Sequence, residues 1–128
     1  MSVLIDANIL GIKKPIEVKT SQKNVRAAAA YMRDVAQYDV DKNELPDEET
    51  NANLVAFLDT QIGAMDATSK FVSQTLQLTE KQAEKLEDLT FGEAENFAIE
   101  IVSKVMGIGP NPKATEQDLK SDANPTTV

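Results

Sequence analysis

The 128 residues include no cysteine and no histidine. Lack of cysteine excludes a disulfide framework, a thiolate metal site and a sulfur nucleophile. Lack of histidine removes the commonest general base and the commonest zinc ligand. No glycine-rich phosphate loop, no G-x-S-x-G and no metal-protease helix is present. The longest apolar runs fall far short of the roughly 20 residues of a membrane span. No basic stretch followed by an apolar core opens the chain, so no secretory signal is expected. Carboxylate catalysis and oxygen-ligated cations stay open on composition alone, so the acidic segments need their own reading.

Acids outnumber bases by 21 to 13, a net charge of −8. Residues 1–38 sum to +3, residues 39–51 to −5 and residues 52–128 to −6. A net anion repels nucleic acid and anionic membranes, and it points to a soluble protein of the cytoplasm. The length fits one domain, and a chain of this size buries roughly two-thirds of its unfolded surface without a metal or a crosslink.

The periodicity predicts an all-α protein. Residues 1–19 read as an extended arm: Ile16-Glu17-Val18-Lys19 alternates like a strand, and Gly11 and Pro15 oppose a continuous helix. A helix over 21–38 follows, capped by Thr20 or Ser21. Its apolar stripe is Val25, Ala28, Ala29, Met32, Val35 and Ala36, with Tyr31 and Tyr38 at the edge. Residues 39–46 read as a polar connector. Pro46, followed by Asp47, Glu48 and Glu49, suits the first turn of a long helix over 48–77. At 1.5 Å per residue that helix is roughly 45 Å long, with Gly63 a place where it can kink. Thr79 and Gln82 match a capping box, predicting a helix over 80–88, and Thr90 and Glu93 match another. In the last helix Ala94, Phe97, Ala98, Ile101, Val102 and Val105 face inward, and Gly107 ends it. The arm (1–19), the helical domain (20–107) and a disordered tail (108–128) complete the expected organisation. The tail holds three of the five prolines and little apolar content.

Two acidic segments are candidates for chemistry. Asp39-x-Asp41-x-Asn43 resembles the start of a calcium-binding loop, but Glu44 and Thr50 stand where that loop needs glycine and glutamate. Glu84, Glu87, Asp88, Glu93, Glu95 and Glu100 sit on the polar faces of short helices, where carboxylates are ordinarily solvated. Neither pattern assigns a catalytic residue, a metal ligand or a cofactor, and the sequence reads as a non-enzyme that binds another protein.

The long helix supplies the candidate surface. From Thr60 to Thr79 only Asp66 and Lys70 are charged. Phe57, Ile62, Met65, Phe71, Val72, Leu76 and Leu78 spread over more than one face. One stripe packs inside; the remainder is either further core or an apolar surface rimmed by Ser, Thr and Gln for a partner segment.

The run Gln74-Thr-Leu-Gln-Leu-Thr-Glu-Lys-Gln-Ala-Glu-Lys-Leu-Glu-Asp-Leu-Thr-Phe-Gly-Glu-Ala, continuing to Ile101-Val-Ser-Lys-Val-Met106-Gly107, resembles the tail assembly chaperones of long-tailed siphophages. The alanine-rich first helix, the acidity and the polar tail are also similar. The resemblance implies a helical, often self-associating protein of the host cytoplasm, absent from the mature virion. Its partner would be the tape-measure protein, held soluble while tail tube protein polymerises, with the tube protein as a further candidate partner. It also implies a minus-one frameshift near the end of the gene. Codons for Gly109 to Lys113 can carry a slippery heptamer, although such residues are also ordinary in polar tails. Two other classes fit the composition: a head or tail component retained in the virion, and an acidic decoy of a basic DNA-binding surface.

Overall fold

The computed structural model describes residues 1–108. Its order is β-hairpin, long helix, long helix, short helix, helix. The tail and the frameshift codons lie outside the described residues, apart from Ile108.

The N-terminal segment folds as a hairpin. Strand β1 (Ser2–Ile5) pairs antiparallel with β2 (Ile16–Lys19), with Val3 opposite Val18 and Ile5 opposite Ile16. Alternation sends those four apolar side chains to one face and Leu4 and Glu17 to the other. The connection carries a single 3-10 turn at Asn8–Leu10, begun by the Asp6 carboxylate accepting from the Asn8 amide at 2.9 Å. Gly11 closes that turn at φ 77°, the left-handed region. Ile5, Ala7, Leu10 and Val18 are buried and belong to the main core. The segment expected as an extended arm is therefore part of the body.

Helix α1 (Gln22–Asn43) starts at Ser21, whose hydroxyl accepts from the Asn24 amide. It runs through residues 39–43, which the sequence suggested as connector. No glycine or proline interrupts it before Pro46, and Gln37 donates to Asp41 at 2.9 Å across one turn. Pro46 disfavours helical backbone at Leu45 and limits further extension. The buried stripe is also rotated from the expected one. Ala28 and Tyr31 are buried and Val25 and Val35 half-buried, whereas Ala29, Met32 and Ala36 are exposed.

Helix α2 (Asn51–Leu76) begins later than the acidic run suggested. Thr50 accepts from the Asn53 amide at 3.1 Å, and Asn53 returns a bond to the Glu48 carbonyl at 2.8 Å. A side-chain cap that satisfies an orphan N–H outweighs the dipole preference of Asp47, Glu48 and Glu49 for the first turn. The helix passes through Gly63, where an added Cβ would lie 3.0 Å from the Tyr38 ring. Gly63 thus lets α1 and α2 approach closely. At the other end Gln77 adopts φ 53° and the Leu78 amide bonds back to the Ser73 carbonyl, folding Leu78 onto the core.

Helix α3 (Glu80–Glu87) and helix α4 (Phe91–Met106) both open with reciprocal capping boxes, Thr79 with Gln82 and Thr90 with Glu93. Gly107, at φ 70°, ends α4. All six residues expected to face inward on α4 are buried, and Ile101 and Ala98 are fully so. Their partners are on α1, where Ala28 and Tyr31 are buried, on α2 and on strand β1, while Leu86 of α3 completes the same core.

Candidate partner-binding surface

Helices α1 and α2 lie antiparallel. Tyr31 stacks on Phe71 with ring centroids 4.8 Å apart, and further along Tyr38 meets Gly63. The Tyr31 hydroxyl and Thr68 Oγ1 are 2.8 Å apart. Thr68 Oγ1 donates its one proton to the Ala64 carbonyl at 2.9 Å, so Tyr31 is the donor to Thr68. Burial raises the Tyr31 pKa above the ordinary 10; the Thr68 hydroxyl, which can turn toward a phenolate, opposes this, and the Glu95 charge adds to it.

Beyond this clasp the two helices continue as a hairpin that no other element covers fully. From Met32 to Ala67 not one residue is buried. The start of α4, at Phe91 and Glu95, reaches only its flank beside Val35, Tyr38, Thr60 and Gln61. Length explains the gap. At 1.5 Å per residue the 26 residues of α2 span about 39 Å and the 16 of α4 about 24 Å.

One apolar stripe therefore has two environments. Leu54, Leu58, Ile62, Met65, Val72 and Leu76 follow one another at three-, four- or seven-residue steps along one side of α2. Val72 is 0% and Leu76 5% exposed. Leu54 is 54%, Leu58 47%, Ile62 52% and Met65 40% exposed. Val55 and Phe57 are exposed beside the stripe, and near the tip Leu54 and Phe57 border a cleft with Leu45 and Pro46.

The seven residues singled out from sequence divide accordingly. Phe57, Ile62 and Met65 lie on the surface. Phe71, Val72 and Leu76 are core, and Leu78 is half-buried against it. The apolar surface expected over those last four is filled by the hairpin, α3 and α4. Sequence reasoning missed Leu54, Val55 and Leu58 as exposed positions, because they share the period of the buried residues. The signal that could have identified them is the shortness of α3 and α4 beside α2.

Asp39 and Asp41 lie in regular helix, not in the loop a calcium site of that pattern requires. Among the described residues no group of three or more acids is placed to hold a metal ion, and no helix is long and apolar enough to cross a membrane. A family model described as phage tail assembly chaperone proteins, TAC, matches residues 5–119. No curated protein and no solved structure matches the chain.

Proposed function

The chain belongs to the phage tail assembly chaperone family, and from that premise we propose that it captures the tape-measure protein through the uncovered half of the α2 stripe. The observation that carries this reading is the division of one stripe into a buried half and an exposed half. Leu54, Leu58, Ile62 and Met65, with Phe57 at the edge, offer an apolar ridge that the rest of the described residues leave about half exposed. Contiguous exposed apolar surface on a small protein marks an interaction site, and a helix with apolar residues at these steps is the complement it fits. The work is binding rather than catalysis. It holds a long apolar client soluble in the host cytoplasm, and the chaperone is left out of the finished particle.

Co-expression with the tape-measure protein tests the reading. Wild-type chain should keep the client in the soluble fraction and co-purify with it. Ile62→Asp should fold and lose the client, because position 62 is solvated. Failure of wild-type chain to co-purify, or full capture by Ile62→Asp, refutes the proposal. Mass spectrometry of purified virions should find no copies; stoichiometric copies would favour a structural component.

A further inference from the structure

The exposed stripe sits in a field of net negative charge. Residues 32–67, the stretch without a buried side chain, hold nine acidic and two basic side chains, a net −7 of the chain's −8. Between Lys42 and Lys70 there are six acids and no base. The placement of these acids follows the ridge. At 100° per residue Asp59 and Asp66 fall together along one edge of the Leu54, Leu58, Ile62 and Met65 line. Asp47, Glu48 and Glu49 stand at its tip end, just before Thr50 caps the helix. Beyond the last exposed position, Glu87 accepts a hydrogen bond from Ser69. Glu95 lies on the opposite flank, beside Gln61 and Ala64.

Resting on the reading that this ridge captures clients, we propose that it selects cationic amphipathic helices, with an apolar face bordered by lysine or arginine. An uncharged client would gain nothing from this border, and an acidic one would be repelled along its length. A second copy docking ridge to ridge would bring two −7 hairpins together. The charge pattern disfavours that occupant and favours a basic one. The acids also steer encounter, so selection acts on association as well as on the bound complex.

The test uses full-length protein and two synthetic helical peptides of about 20 residues. They share one leucine stripe and differ only in lysine or glutamate flanks. The lysine peptide should bind in fluorescence anisotropy at least about tenfold tighter than the glutamate peptide. Raising sodium chloride from about 50 to about 500 mM should weaken it by roughly tenfold. Leu58→Ser with Ile62→Ser leaves every charge in place and should cost at least about tenfold, with circular dichroism unchanged. Asp59→Asn with Asp66→Asn should reduce the salt dependence. If both peptides bind alike, salt-independently, and the serine variant loses both, the capture surface stands and the cationic selection is overturned. If the serine variant binds the lysine peptide as well as wild type does, the attraction is to charge alone and both readings fall. If neither peptide binds, both also fall. Light scattering then shows whether a second copy covers the ridge, as a multimer that the serine variant dissolves.

Discussion

Tyr31 joins three interactions in one side chain: a stacked ring, a buried hydrogen bond and contact with α4 through the core. Tyr31→Phe keeps the ring and removes the donor. Thr68 retains its bond to Ala64, so the loss should be about 1 kcal/mol in urea unfolding near neutral pH. The pH dependence gives a second check. Well below pH 10 the phenol is protonated in both states and its contribution is complete. Above that, the unfolded chain ionises first while the raised folded pKa holds the proton, so the wild type loses stability as pH rises. The phenylalanine variant should lose less between about pH 9 and 11, and the gap between the two should narrow. A parallel fall in both would show that Tyr31 ionises freely. The sequence placed Tyr31 only at the edge of the α1 stripe. Alanines dominate that helix, and small side chains define a face weakly, so the actual face was set by where Phe71 and Thr68 stand on another helix.

Single elements were legible where their determinants are local. Both capping boxes, the inward face of α4 and the glycine that ends it depend on residues within a few positions of one another, and the structure has them as expected. The end of α1 and the start of α2 were less legible. There two local signals competed, and a threonine cap prevailed over a proline followed by acids. The division of α2 was not legible from its period, which does not report how far a neighbouring helix extends; only the shorter lengths expected of α3 and α4 carried a hint of it. That division is measurable. Phe71→Ala should cost about 3–5 kcal/mol in thermal or urea unfolding, as expected for a large aromatic in a close-packed core. Ile62→Ala should change stability by no more than about 0.5 kcal/mol. Equal costs at the two positions would mean that the ridge is buried in solution.

For the molecule as a unit, the N-terminal hairpin is as much a core element as α4. Lys104 donates to the Leu4 carbonyl at 3.3 Å, and Ile5, Ala7, Leu10 and Val18 close one side of the core. Each buried aliphatic contributes about 1.5–3 kcal/mol by area, so three of them approach the whole stability of a domain this size. A chain lacking residues 1–19 should show no cooperative thermal transition by calorimetry; a sharp one would demote the hairpin to an accessory. Local pattern does not report this, since the hairpin's partners on α2, α3 and α4 lie from several tens to about a hundred positions away.

The course of α4 gives the molecule two unlike ends. Phe91 starts beside the flank of the acidic hairpin, and Lys104 finishes beside Leu4, in the same strand as the N-terminus. Met1 is pinned there too, its carbonyl accepting from the Thr20 amide at 2.9 Å. The described chain therefore enters and leaves on the side remote from Leu54 and Phe57. A fluorophore, a surface anchor or a fused protein joined at Met1 would stand behind the ridge, and molecules immobilised there would all present it outward.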